Sequence, residues 1–207
     1  MKLRNVLIST AALVAVAAPA LADAKTESFV KQNANEVLNS LNNPNLSQRE
    51  RTELFSGYME QFADFDAVSK FVIGKYARRF TPEELQAYQQ AFRTYALAVY
   101  ENELDAYRGN EVVIEGSTDR TANDSIVDTS IARADGKTMD VRWRVLNRGG
   151  KYQVVDVALD IDGNLIWLAI EQQAQFLALL DRTNGSADAL IDKISSMTDK
   201  LKSTRRG

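Results

Sequence analysis

The chain has 207 residues, 25 basic against 28 acidic, is 45% apolar, and contains neither cysteine nor histidine. That length suits one domain with an ample core, and the missing residue types exclude thiol nucleophiles, disulfides, Cys/His metal sites and histidine-based triads. The acidic balance argues against nucleic acid as a partner, and a metal would need carboxylates alone, for which no loop has calcium-type spacing.

Residues 1–22 read as a cleaved export signal. Lys2 and Arg4 make a short positive start, residues 6–18 are apolar or small, and Ala20-Leu21-Ala22 fits the small-x-small cleavage pattern. Cleavage after Ala22 leaves Asp23 first and residues 23–207 as a single domain in the periplasm. No cysteine follows to carry a lipid anchor, and losing Lys2 and Arg4 makes the remainder more acidic still.

The mature part opens with helices. Val30, Ala34, Val37, Leu38 and Leu41 recur at helical spacing, and Asn42-Asn43-Pro44-Asn45 breaks the pattern. Ser47 and Glu50 form a capping box ahead of Leu54, Phe55, Tyr58, Met59 and Phe62. Asp64 or Asp66 then caps a short apolar helix carrying Phe65, Val68, Phe71, Val72 and Tyr76, with Gly74 near its end where the chain must bend. Thr81-Pro82-Glu83-Glu84 is a second helix start, with a cap, a first-turn proline and the closing glutamate. The long helix that follows has no Pro or Gly before Gly109. One apolar stripe is Leu85, Tyr88, Phe92, Tyr95 and Val99; a second, offset from it, is Leu97, Tyr100, Leu104 and Tyr107. The combined face is wider than packing on one partner needs. It suits a central core helix, or one that also walls an apolar cavity.

After Gly109 the period changes to two. Residues 111–117 and 125–133 are expected strands, joined through the Ala134-Asp135-Gly136-Lys137 turn to Met139, Val141, Trp143 and Val145, which alternate with Asp140, Arg142 and Arg144. Arg148-Gly149-Gly150 turns the chain again. In residues 151–162 alternation puts Val155, Val157, Leu159 and Ile161 on one face, and Tyr152, Val154, Asp156 and Ala158 on the other. Short connections between successive strands predict an antiparallel meander, covered by the flanking helices. Asn164 is expected to cap a helix holding Ile166, Trp167, Ile170, Phe176, Leu177 and Leu180. Asn184-Gly185 ends it, and Ser186 caps a last helix with Leu190, Ile194, Met197 and Leu201. The terminal Lys200, Lys202, Arg205 and Arg206 suit a helix C-terminus or, alternatively, an anionic lipid surface.

No catalytic constellation emerges. Asp156, Asp160 and Asp162 share one strand face at most, and a single buried Asp acting as a base is the only candidate among them. Glu101, Glu103 and Asp105 read as the wet side of the long helix, and Arg78-Arg79 as a solvated helix-terminal pair or a point that holds a phosphate or a partner's acids.

The stretch VIGKYARRFTPEELQAYQQAFRTYALAVYENELDAY, the Val154–Val157 portion, and the late Phe176, Gly185, Leu190 and Ile191 together resemble the MlaC, or toluene-tolerance, family of periplasmic phospholipid-binding proteins. The likeness spans essentially the whole mature chain. It departs from the family at Gly163-Asn164, where a Gly-x-Ser step is usual, and at Glu171 and Gln172, where a basic residue often precedes the late Phe. The resemblance implies an α+β fold, a curved antiparallel sheet of four to five strands covered by helices from both chain ends and related to the NTF2-like cone. It implies a monomeric carrier with no cofactor. Its cargo would be glycerophospholipid, shuttled between an outer-membrane lipoprotein complex and an inner-membrane ABC transporter with its substrate-binding ring, so maintaining outer-membrane lipid asymmetry. Exposing the roughly thirty chain carbons of a double-acyl lipid to water would cost on the order of 20 kcal/mol at about 0.8 kcal/mol per methylene, so a shuttle must enclose the tails. The expected lipid-binding residues are Val72, Tyr76, Phe92, Tyr95 and Val99 on the helices and Met139, Val141, Trp143, Val155 and Val157 on the sheet. The alternative is an enzyme or binding protein on the same cone acting on another small apolar ligand, with Asp156 or Tyr76 as its polar group.

Overall fold

The computed structural model describes residues 24–104, 111–132, 136–161 and 163–204. The export signal, Asp105, Tyr107, Asp135, Asp162, Arg205 and Arg206 lie outside the described residues, as do the side chains of residues 100–104, among them Glu101 and Glu103.

Helix α1 (Ala24–Asn42) buries Val30, Ala34, Val37, Leu38 and Leu41 along the expected stripe. It runs across the start of the sheet, where Asn35 Oδ1 accepts the Val112 N–H at 2.9 Å. In α2 (Gln48–Phe62) both arms of the Ser47/Glu50 box are made, and Phe55, Met59 and Phe62 are buried. Asp64 caps α3 (Phe65–Ile73), accepting from the Ala67 N–H at 3.0 Å. Asp64 also ties this helix to the sheet: its own N–H donates to the Val154 carbonyl at 2.9 Å, and its carboxylate pairs with Arg148. Burial alone would raise the Asp64 pKa, but the Ala67 N–H and the Arg148 guanidinium together hold it below the usual range.

Gly74 closes α3 with φ +50 and ψ −121, a conformation that leaves the Leu177 side chain 3.6 Å from where a Cβ would stand. A 3-10 turn over Gly74–Arg78 leads to α4 (Pro82–Leu104), which starts with the expected Thr81/Glu84 box: the Thr81 N–H to Glu84 Oε2 is 2.8 Å and the Glu84 N–H to Thr81 Oγ1 is 3.2 Å. Tyr88 is fully buried in α4 and donates its hydroxyl to the Ser69 carbonyl at 2.8 Å, fixing the long helix against the short one. Tyr88→Phe is expected to cost about 1 kcal/mol of stability, read as a lower urea midpoint at unchanged m-value.

The sheet is an antiparallel meander in the order β1 (Val112–Thr121), β2 (Asp124–Ala132), β3 (Thr138–Arg148), β4 (Lys151–Ile161) and β5 (Asn164–Trp167). The α+β class and the curved sheet under helices from both chain ends are as expected. Two interruptions break the pairing of β1 with β2, at Ile114/Gly116 and at Asp119/Thr121. The β2–β3 ladder is unbroken. Between β3 and β4, Arg144 stands opposite Asp156 and Val145 opposite Val154, so Val155 is an extra residue in β4. That bulge corrects the simple alternation expected for this strand. Val154, not Val155, shares a face with Val157, opposite Val145 and Trp143 respectively.

A second correction concerns residues 164–167. They form β5 rather than the start of a helix. Asp160 Oδ1 accepts the Gly163 N–H at 2.8 Å, Gly163 takes φ +81, and the tight turn returns Leu165-Ile166-Trp167 along β4. Helix α5 (Leu168–Arg182) begins only after it, and α6 (Ala187–Thr204) follows a break at Asn184 and Gly185, both of positive φ.

The covered face of the sheet carries Met139, Val141, Trp143, Val145, Val154 and Val157, all buried. Phe62 of α2 meets Trp143 and Phe29 of α1, each with ring centroids 5.4 Å apart. Trp143 is held by its own indole N–H, which donates to Thr129 Oγ1 at 2.8 Å. Helices α3 to α6 form a second packed group beside the end of β4, with α4 along α6 and α3 along α5. An aromatic chain from Phe80 through Tyr88 and Phe92 to Phe176 runs through this group.

Candidate ligand cavity

Where the helical group meets β4, an apolar cavity of about 210 Å³ opens. Phe65 and Val68 of α3 form one wall, and Phe92, Tyr95, Ala96 and Val99 of α4 another. Val154, Val155 and Asp156 of β4 form the floor, and Leu168, Ala169, Glu171, Gln172 and Gln175 of α5 close the remaining side. The bulge is what brings Val155 here: released from the ladder, it joins the wall together with its neighbour Asp156. A second depression, on the outer face of α2, is lined by Glu50, Glu53 and Gln61 besides Leu54 and Tyr58, and such an open, charged groove does not exclude water.

Asp156 is the one buried carboxylate on this wall. Its Oδ1 accepts the N–H groups of Val157 and Ala169, both at 2.9 Å. Ala169 lies in the first turn of α5, whose N-cap residue Trp167 supplies no side-chain acceptor, so a neighbouring strand does the capping. Burial pushes the Asp156 carboxyl up; its two N–H donors and the Arg144 charge pull the other way and offset only part of that. Burial also raises the Tyr95 phenol.

Of the ten side chains expected to hold lipid, Phe92, Tyr95, Val99 and Val155 line this cavity. The other six do not. Met139, Val141, Trp143 and Val157 lie on the buried face of the sheet, where Phe62 of α2 meets Trp143, and Val72 is fully buried in the core. Tyr76 belongs to a joint between the 3-10 turn and the α5–α6 corner. Its hydroxyl donates to Asp181 at 2.6 Å, Lys75 pairs with the same carboxylate at 3.0 Å, and the Arg79 guanidinium lies 4.9 Å from the ring centroid. This places Tyr76 away from the cavity, removes it as a polar group for chemistry there, and ties Arg79 to an internal contact, while Arg78 stays exposed. Sequence reasoning missed Ala63, Phe65, Val68, Ala96, Val154 and the whole α5 wall. Phe65 and Val68 were visible as apolar positions of the short helix, but nothing in their spacing said that they face a space rather than a neighbour.

Among the described residues no helix is long and apolar enough to cross a membrane, and no group of three or more carboxylates could hold a metal ion. An apolar cavity between a curved sheet and a helical layer, with few polar groups at one side, is the architecture of a small-ligand binding protein. The family model for the MlaC protein matches residues 31–196, and the chain belongs to that family. Among curated relatives, the toluene tolerance protein ttg2D of Pseudomonas putida is 25% identical over 140 residues, 67% of this chain. The match spans 63% of that relative's length. Among solved structures, a phospholipid-binding protein from Ralstonia solanacearum in complex with a phospholipid aligns with a TM-score of 0.73 at 21% identity, over 86% of this chain and 98% of that one. At that identity the likeness speaks for the fold.

Proposed function

We propose that this protein is a phospholipid carrier of the periplasm, binding acyl chains in the cavity between α3, α4, α5 and β4 and releasing the lipid unchanged. The observation that carries the reading is an apolar cavity walled by Phe65, Val68, Phe92, Tyr95, Ala96, Val99 and Val155 in a chain of the MlaC family. The name of the Ralstonia protein, a phospholipid-binding protein seen with a phospholipid, supports the same cargo, and the name of the Pseudomonas relative, a toluene tolerance protein, fits a role in solvent tolerance. On this reading the chain is exported by cleavage after Ala22, acts as a monomer without a cofactor, and passes lipid between an outer-membrane lipoprotein complex and an inner-membrane ABC transporter. The two Asp156 Oδ1 bonds to backbone N–H groups favour a binding role over an acid–base one. The present volume of about 210 Å³ is below the roughly 300–1,000 Å³ of ligand-filled pockets, so a double-acyl lipid enters with the walls spread.

The test pairs two substitutions that introduce the same indole ring. Ala96→Trp places an indole in the space the acyl chains would take, and is expected to abolish co-purified phospholipid while the delipidated protein keeps its unfolding midpoint. Val141→Trp places the same ring in the closed core and is expected to cost about 1–3 kcal/mol or more. Phospholipid retained at wild-type level in Ala96→Trp would remove this cavity as the lipid site.

A further inference from the structure

Three glutamines follow one another closely on α5, and they differ in what their amides do. Gln173 Nε2 donates to the Phe71 carbonyl at 2.6 Å, and Gln175 Nε2 donates to Glu171 Oε1 at 3.0 Å. Gln172 Nε2 is buried and has no acceptor among the described residues. Gln172 lines the cavity. On the same wall, Asp156 Oδ1 accepts from the Val157 and Ala169 N–H groups and not from Gln172. Buried amide donors are ordinarily bonded, and an unbonded one is costly enough to need a reason.

The position of Gln172 on the wall supplies that reason. Glu171 and Gln175 beside it are exposed, whereas Ala169 and Asp156 beyond it are buried, so Gln172 stands where the wall passes from wet to dry. A lipid held with its tails inside and its head in water has its acyl ester groups at that boundary. Each ester carbonyl is a neutral acceptor without a donor of its own. A phosphate oxygen is a poorer match at this point, because the wall also carries the Glu171 and Asp156 carboxyls.

We infer that Gln172 is a specificity-determining residue of the cavity, its buried amide donating to an acyl ester carbonyl of the bound lipid. The inference rests on the carrier reading and adds to it a chemical preference: ester-linked chains over ether-linked chains of the same length. Replacing the carbonyl by a methylene leaves the Gln172 donor buried and unpaired again, so discrimination comes from the missing acceptor rather than from shape.

The full chain, delipidated, is titrated with dioleoyl phosphatidylcholine and with its dialkyl ether analogue. Wild type is expected to bind the diester about tenfold more tightly. Gln172→Leu is expected to bind both lipids equally, the roughly tenfold preference being lost. It removes an unpaired donor, so its thermal midpoint should equal or exceed that of wild type. Gln172→Asn, whose amide sits one methylene further back, is expected to lose the preference while keeping the polar group. Equal binding of the two lipids by wild type, or a preference that survives in Gln172→Leu, overturns the assignment and leaves the carrier reading standing. Failure of wild type to bind either lipid overturns the carrier reading, and this inference with it.

Discussion

Gly185→Ala is expected to lower stability by about 3 kcal/mol, from backbone strain and a steric clash acting at one atom. Gly185 has φ +79, and a Cβ built there would lie 2.8 Å from Cε1 of the Tyr76 ring and 3.2 Å from its Cδ1. The ring cannot easily retreat, since Asp181 holds its hydroxyl at 2.6 Å and Arg79 lies over its face. The measurement is urea unfolding of Gly185→Ala alone and combined with Tyr76→Leu. If the clash contributes, the two losses together will be smaller than their sum; strict additivity would assign the whole effect to the backbone. The same contact joins Tyr76 to Gly185 across more than a hundred residues of sequence, so the two are halves of one joint.

Asp156→Ala should be nearly as damaging, at about 2–4 kcal/mol, because it strips the acceptor from two buried N–H groups and uncaps α5. Asp156→Asn keeps the acceptor oxygen and removes only the charge, so it should be tolerated at neutral pH. The two variants also separate the charge from the cap as pH varies. Burial raises the Asp156 pKa in the folded chain, so the folded state holds that proton more tightly than the unfolded state does. Its stabilising contribution is therefore complete below the unfolded aspartate value and is lost as pH rises through the raised folded value. Asp64 and Asp181 have lowered values and act in the opposite sense, losing stability as pH falls. The difference between wild type and Asp156→Asn isolates the one group. That difference should favour wild type most in acid and shrink or reverse toward neutrality; a pH-independent difference would contradict the raised value.

The helices were legible because their signals are local. The Ser47/Glu50 and Thr81/Glu84 boxes and the stripe from Val30 to Leu41 each declare themselves within a few turns, and the structure has them where expected. The meander was legible for the same reason: Gly149-Gly150 and the alternation of Met139, Val141, Trp143 and Val145 need no knowledge of the rest. What failed depended on a partner. Asn164-Leu165-Ile166-Trp167 has apolar residues that suit a helix as well as a strand, and only the edge of β4 decides for β5. The bulge is a one-residue insertion relative to β3, invisible to a pattern read along β4 alone, yet it moves Val155 and Asp156 onto the cavity. Four of the ten expected residues, Met139, Val141, Trp143 and Val157, lie on the buried sheet face and not on this cavity. Met139, Val141 and Trp143 do face inward, but the helix that meets Trp143 is α2, through Phe62, and no periodicity says which helix lies on which strand.

The two interruptions in β1 bear on how copies of this chain behave in a crowd. β1 is a sheet edge, and an edge with regular spacing is a template onto which a foreign strand can add. Here the interruptions at Ile114/Gly116 and Asp119/Thr121 throw the outward-facing amide and carbonyl groups out of phase within a ten-residue strand. Glu115 and Asp119, held by Ser130 and Ser125 of the adjacent strand, add fixed negative charge along it. Two molecules approaching edge to edge would meet mismatched hydrogen-bond spacing and like charges. The irregularity that looks like a flaw in the ladder thus disfavours edge-to-edge polymerisation.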